Sequence, residues 1–501
     1  MLAIVVIVGF LILEVGRRIY NNKRQLKELE LLSCQYGCEP PPLLQNQRPF
    51  GLDRLEQIFR ADSESRLMEL FLFHFRQTGW TLKQEFLCTP AYGTVDPENM
   101  EAILSSKFHD FDNGPRRDVT FPMFGDGIFT QDGEPWRKSR DMLRPQLFHR
   151  HYEDLEVFKT PLDDLLEALP RSGVVDLQPL FFRLTLDVTT AFLFGESVHS
   201  LRSTTHRFAD AFDAAQQIVT KRFRLQDMYW LIGGKSFHQA CDEVRQFADE
   251  IIDQNLAKKE TPGRSKFLQS VAKETEDRTA LRGQIINILT AGRDTTACLL
   301  SWVFFLLVRH PAVMKKLREE VDHLSTLGGQ LERSHLRDAK YLQSVMKETL
   351  RLYPSVPVNT RNAVRTTVLP TGGGPDRKSP ILIPKGSSVA FSVYTMHRRP
   401  DLFGMDAELF RPERWDEDMP INHNPIHQKW GYIPFSAGPR TCLGLDFALT
   451  EAAYAVVRIM QKYPSIRLPK GEAVDLTGVE KQKMTLVLQI KDGCKVELES
   501  T

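Results

Sequence analysis

Residues 435–444 read Phe-Ser-Ala-Gly-Pro-Arg-Thr-Cys-Leu-Gly, and an apolar, alanine-rich helical pattern over 446–460 follows. The stretch decides the fold because of one residue, Cys442. A thiolate is a soft, electron-rich metal ligand, and on heme iron it pushes electron density in the sense that favours O–O cleavage. Gly438 and Gly444 let the backbone come close to a flat macrocycle. Backbone N–H groups aimed at the sulfur would tune its charge. Arg440 stands two residues before the cysteine, a suitable place for a guanidinium that pairs with a heme propionate. Phe435 would shield the sulfur from water. A lone cysteine is most often an inert buried residue; the full order F-x-x-G-x-R-x-C-x-G is what makes the stretch specific.

The chain has 501 residues, 42% hydrophobic and 26% charged, an ordinary globular balance with apolar mass for a large core. A formal net charge of +1 argues against a nucleic-acid protein, which would carry a basic excess. Seven cysteines, at 34, 38, 88, 241, 298, 442 and 494, show no Cys-x-x-Cys spacing. An odd, sparse set fits a reducing compartment better than a disulfide framework. Cys34 and Cys38 lack the nearby His or Cys that would complete a zinc site.

Residues 2–13 are uncharged and apolar, and Arg17, Arg18, Lys23 and Arg24 follow. As a helix this run spans roughly 18 Å, against a hydrocarbon core about 30 Å thick. No small-residue cleavage site follows, and the basic flank marks that side as cytosolic. Residues 1–20 are therefore expected to form a short signal anchor. Residues 21–48 are polar and hold Pro40, Pro41 and Pro42, which predicts a stiff extended linker. Residues 49–501 show no internal repeat and no long low-complexity stretch, so one domain is expected there.

Within residues 125–148, GDGIFTQDGEPWRKSRDMLRPQLF, glycines and Pro135 mark turns ahead of a helix. Trp136 and Arg140, four apart, share a face of it. Residues 284–308 form a long helical pattern, apolar on most faces, that contains Ala291-Gly-Arg-Asp-Thr-Thr296. Glycine and adjacent threonines weaken a helix interior, and such a conflict in an otherwise strong helix points to function. Residues 341–352 carry Glu348 and Arg351 on one helix face; Pro354 and then Pro412-Glu-Arg414-Trp415 follow. Residues 379–394 alternate apolar and polar around Lys385-Gly386, the pattern of two strands and a turn. Gly372-Gly-Gly-Pro375 reads as a flexible surface loop.

In this order the stretches resemble the heme loop and the W-x-x-x-R, A-G-x-D-T-T, E-x-x-R and P-E-R-F elements of the cytochrome P-450 monooxygenases. The resemblance covers about residues 45–495. Within the superfamily it points to the fungal alkane and fatty-acid hydroxylase group, on stretches such as ILTAGRDTTACLLSW and FALTEAAYAVVRIMQ. It implies a mainly α cytochrome P-450 fold with small β-sheets and an N-terminal membrane anchor. It implies heme b with Cys442 as the axial ligand to iron. Trp136, Arg140 and Arg361 would contact the heme propionates. Thr295 would hydrogen-bond the activated dioxygen, in a groove where the helix opens, and Asp294 would relay protons to it, which is general acid catalysis. Glu348, Arg351 and Arg414 would form a buried, structural network behind the heme loop, since buried charges need full pairing.

The implied reaction inserts one oxygen atom of O2 into a C–H bond of a hydrophobic substrate. ω-Hydroxylation of long-chain alkanes or fatty acids is the first expectation. Apolar walls are expected at 108–129, 212–230, 356–358 and 484–488. Electrons are expected from NADPH through a separate cytochrome reductase, with cytochrome b5 as an optional donor, at the endoplasmic reticulum membrane; no nucleic acid is expected as a partner. Three alternatives stay open. One is a polyketide or terpenoid substrate in a fungal biosynthetic pathway. Another is a heme-thiolate isomerase or dehydratase, against which the Asp294–Thr295 pair argues. The third is a non-enzymatic heme sensor.

Overall fold

The computed structural model describes residues 17, 21, 23–44, 48–86, 89–148, 152–153, 155–203, 207–257, 267–275, 277–326, 331–474 and 480–500. The apolar run 2–13 read as an anchor lies outside them. The chain gathers into two compact units. One comprises Met1–Leu55, Phe73–Asp112 and Thr360–Phe391; the other comprises Glu56–Leu72, Asn113–Asn359 and Ser392–Thr501.

The first unit is built on sheets. A five-stranded sheet runs in the order Thr81–Phe86, Thr89–Thr94, Ser388–Ser392, Val358–Ala363, Phe111–Asp112. The first two strands form an antiparallel hairpin, and residues 91–94 pair in parallel with 388–391. Both strands expected around Lys385-Gly386 form, but not as a hairpin. Ser379–Ile383 pairs instead with Thr367–Gly373 in a separate two-stranded sheet, and the turn at Gly386 (φ +83°) carries the chain from one sheet to the other. The glycine run is likewise not a loose loop. A Cβ on Gly372 would lie 2.5 Å from the Thr81 Cβ, and one on Gly373 would lie 2.4 Å from the Glu39 carbonyl oxygen. Close backbone approach, not flexibility, is what these glycines permit.

The proline-rich linker also differs from its reading. Helix occupies residues 23–35, and the prolines beyond it are extended but docked. Lys83 N–H donates to the Pro42 carbonyl and Leu44 N–H to the Lys83 carbonyl, both at 2.8 Å, while Glu39 N–H donates to Pro380 at 2.9 Å. Proline lacks an N–H but keeps its carbonyl, so a proline run can still join a sheet edge as an acceptor.

The second unit is organised on one helix, Arg278–Arg309. Asp277 caps it by accepting from Thr279 N–H at 2.8 Å, and Pro311, just beyond, disfavours helical geometry at His310. Helices Leu177–Phe194, Lys235–Ala257, Lys340–Leu352 and Leu445–Lys462 pack around it. Among the described residues it is the one helix long and apolar enough to cross a membrane, and 83% of its apolar window is buried by the protein itself. Its hydropathy is that of a core helix. Trp302 stacks on Tyr353 at 3.8 Å and Phe304 on Phe181 at 5.6 Å.

Polar side chains on this apolar helix fix its neighbours. Gln284 and Asn287 are buried. Ile128 N–H donates to Gln284 Oε1 (3.2 Å), and Phe129 N–H to Asn287 Oδ1 (2.9 Å). Asn287 Nδ2 donates to the Phe124 carbonyl (3.2 Å), and Gln284 Nε2 to Ser139 Oγ (2.6 Å). The segment approaches so closely that a Cβ on Gly283 would lie 2.0 Å from the Asp126 carbonyl oxygen. Gly283→Ala gains up to ~1 kcal/mol of helix propensity, but overpacking against backbone costs about 1–3 kcal/mol. The variant is expected to melt at a lower temperature than the parent; an unchanged or raised midpoint would show that the segment does not rest on the helix there.

Candidate active site

The loop that carries Cys442 is closed by its own backbone. Cys442 N–H donates to the Phe435 carbonyl and Thr441 N–H to the Gly438 carbonyl, both at 3.0 Å, and Thr441 Oγ1 donates to Gly438 at 2.7 Å. Ser436 (φ +59°) and Gly438 (φ +68°) make the left-handed turns that fold it back. His397 anchors the approach, its Nε2 accepting from Ile433 N–H at 3.0 Å. Burial pushes that imidazole down to about 3, so it stays a neutral acceptor.

Cys442 is exposed by surface area, yet protein crowds it enough that burial raises the thiol. The Gly444 N–H and the Arg140 charge act against burial and favour the thiolate. Gly444 has φ −93°, which any residue can adopt, and a Cβ there would meet no protein atom within 4 Å.

Helix Gly133–Leu143 brings Trp136 and Arg140 to the loop. Trp136 is buried, and Arg440 lies over its ring at 4.3 Å. Arg440 Nη2 also donates to Asp132 Oδ1 (2.6 Å) and to the Gln131 carbonyl (3.1 Å). Asp132, which no motif in the sequence singles out, is thus the carboxylate that aims Arg440; Asn113 fixes it with its backbone N–H (3.2 Å) and Nδ2 (2.9 Å). Arg116, also passed over, donates to Asn359 Oδ1. Burial lowers its pKa and the charge of Asp132 opposes that. Three guanidiniums, Arg116, Arg140 and Arg440, thus lie about one carboxylate and one thiol. A soft sulfur ligand, an open glycine face and surplus cations suit a flat, dianionic iron macrocycle, so the residues present fit heme b. Arg361 falls in the first unit, where it is buried on Val358–Ala363, donates to the Thr360 carbonyl (2.7 Å) and lies 5.8 Å from the Phe391 ring.

On the long helix, Asp294 and Thr295 take different surroundings. Asp294 is fully buried and Thr295 half-buried. Asp294 bonds Gln216 and Arg293, whereas Thr295 Oγ1 donates to the Ala291 carbonyl at 2.7 Å. The two side chains do not bond each other, as neighbours ~100° apart on a helix would not. Burial, helped by the charge of Asp213, pushes the Asp294 carboxyl up to about 6 against the pull of Arg293 and Gln216. The expected opening of the helix is absent: residues 291–296 are continuous α-helix. Gly292 answers to packing instead, since a Cβ there would lie 2.3 Å from Thr189 Oγ1 on the adjacent helix.

Ser355 Oγ donates to the Thr295 carbonyl at 2.9 Å, and Leu488 N–H donates to the Ser355 carbonyl at 3.0 Å. Arg224, at the end of helix Arg207–Leu225, donates to the Met484 carbonyl at 3.2 Å. Hydrogen bonds thus join 212–230 to 484–488, and 484–488 to Ser355, the residue before 356–358 and the one that bonds the Thr295 carbonyl. Phe129 and Val356 keep 39% and 37% of their surface exposed, as apolar lining side chains would. Phe212, by contrast, is completely buried in a core cluster with Met123, Ala215 and Ile286.

Behind the loop, Glu348 accepts from Arg351 Nε (2.9 Å) and Nη2 (2.8 Å), from Arg414 Nε (2.8 Å) and from Arg411 N–H (3.0 Å). Asp406 pairs Arg414 at 3.1 Å, and carbonyls of His397, Phe403, Ala407 and Leu409 take remaining guanidinium protons. Glu348, Arg351 and Arg414 have no exposed side-chain surface. This is the expected structural network. Glu348→Gln leaves two buried guanidiniums without their shared carboxylate, a change that costs about 3–5 kcal/mol. Urea unfolding is expected to show a loss of that size; a loss under ~1 kcal/mol would mean the network is not holding charge.

A family model for cytochrome P450 matches residues 61–491. A cytochrome P450 of Arthroderma benhamiae is 42% identical over 96% of this chain and 95% of that protein. Cytochrome P450 monooxygenase g430 of a Fusarium species is 39% identical over 96% and 86%, and cytochrome P450 52A1 of Candida tropicalis 41% over 83% and 80%. Among solved structures, a cytochrome P450DA heme domain superposes with a TM-score of 0.76 at 22% identity, covering 93% of this chain and 98% of that one, which shows the fold. The chain belongs to the cytochrome P450 family of heme-thiolate monooxygenases.

Proposed function

We propose that this protein hydroxylates long-chain alkanes or fatty acids at or near the terminal carbon. The observation that carries the reading is the Ser355–Thr295 hydrogen bond, which seats apolar turns beside the segment expected to handle oxygen. Cys442 would hold heme b, with Trp136, Arg140 and Arg440 toward its propionates, and when bound that group would supply dioxygen activation and oxidation of the C–H bond. Arg116 joins those cations, and Phe435 keeps water from the sulfur. Everything else falls to the chain. Val356, Phe129 and the 484–488 turn hold an apolar chain end-on. That placement matters because the terminal methyl has the strongest C–H bond of the chain, so selectivity must come from positioning. Thr295 keeps a hydroxyl at the reacting end, and Asp294 holds the proton that must arrive there.

Electrons come from NADPH through a separate reductase, with cytochrome b5 as an optional donor. The basic flank after residues 2–13 supports attachment to the endoplasmic reticulum membrane with the rest of the chain in the cytosol. The motif neighbourhood, which resembles the fungal alkane and fatty-acid hydroxylases, supports the substrate class. Heme-loaded protein is to be incubated with reductase, NADPH and fatty acids from lauric to stearic, or the matching n-alkanes. Mass spectrometry is expected to find mainly ω-hydroxylated product, and none from Cys442→Ser. No product across both series would overturn the substrate class and favour a specialised polyketide or terpenoid.

A further inference from the structure

Asp294 is enclosed, yet a single guanidinium joins it to the surface. Arg293 Nη1 lies 3.0 Å from Asp294 Oδ1 and 2.9 Å from Asp213 Oδ1. The side chains of Asp294 and Arg293 are 1% and 4% exposed, while that of Asp213 is 51% exposed. Arg293 is clamped, its guanidinium 5.0 Å from the rings of both Phe182 and Phe212, one on each neighbouring helix. Its own carbonyl accepts from Thr185 Oγ1 at 2.6 Å. Gln216 lies three residues after Asp213 on the same helix face. It is buried and donates to Asp294 Oδ2.

We propose that Asp213, Arg293 and Gln216 are positioning residues that set the proton affinity of Asp294. This rests on the reading of Asp294 as the proton donor. One nitrogen serves two carboxylates, so each carboxylate weakens the hold of Arg293 on the other. Neutralising Asp213 leaves Arg293 to Asp294 alone and loosens its proton; neutralising Arg293 leaves a buried, unpaired carboxylate and tightens it. The charges acting on Asp294 are those of Arg293 and Asp213. Among buried titratable groups on the packed elements, burial shifts the thiols of Cys298 on the long helix and Cys241 on Lys235–Ala257, and the carboxyl of Glu451, which faces Thr296 from Leu445–Lys462, toward their uncharged forms.

The test is an infrared pH titration of the Asp294 carboxyl in the full-length, heme-loaded resting protein, with the band identified by its loss in Asp294→Asn. A unit charge a few ångströms away in a partly screened interior changes proton affinity by roughly tenfold or more. The midpoint is expected to fall by that factor in Asp213→Asn and to rise in Arg293→Gln. Coincident midpoints in Asp213→Asn and the parent would overturn the proposal. Should Arg293→Gln fail to fold, Asp213→Asn, at a half-exposed position, still decides. Product formed per NADPH, followed over the same pH range, separates the two readings. Midpoints that move while this ratio does not would leave the network standing and remove Asp294 as the donor.

Discussion

The bond from Ser355 Oγ to the Thr295 carbonyl is the constraint on which the site depends. A carbonyl within an apolar helix has one partner along the helix and a second lone pair to spare. Here that spare acceptor meets the turn that leaves helix Lys340–Leu352. Because Leu488 N–H is bonded to the same residue, the C-terminal turn 484–488 is located by the same contact. The long helix therefore does more than fill the core. Gln284 and Asn287 hold the segment before the Trp136 helix, the Thr295 carbonyl holds the turn at Ser355, and Asp294 holds the helix Arg207–Leu225.

Two kinds of buried charge coexist in the second unit. The Glu348 network is saturated: each guanidinium meets carboxylates and carbonyls. Such a network is strongly destabilised by removal of one member rather than strongly stabilising as a whole. Around Asp294 the balance is different. Two carboxylates share one guanidinium, and the inner one sits near the pH range in which a proton can both arrive and leave. The first arrangement suits a scaffold and the second suits proton traffic. The cations about Cys442 are a third case, a surplus that an anionic cofactor would balance.

What was legible in the sequence is what depends on short spacing. Cys442, the Trp136–Arg140 face and the Glu348–Arg351 pair were readable because each motif lies within a turn or two of chain, and the helix read at 284–308 proved to be Arg278–Arg309. What was not legible depends on contacts distant in sequence. Asp132 reaches Arg440 across 308 positions, and no local pattern marks it beyond an acid ahead of a helix. Glycines were read wrongly for the same reason. Gly292 read as a weak point in the helix and Gly372 as part of a loose loop, yet both accommodate a threonine from another element. A glycine shows where a side chain is not tolerated, but its neighbour must be seen to know why.

The claim that the turns beside Thr295 set the position of attack is tested most directly by the product distribution of Ser355→Ala. The variant loses one hydrogen bond, worth about 1 kcal/mol, and keeps every residue assigned to the heme. With palmitic acid, reductase and NADPH, hydroxylation is expected to spread from the terminal carbon to its neighbours while the heme spectrum stays that of the parent. A ratio of terminal to subterminal product unchanged from the parent would contradict the account.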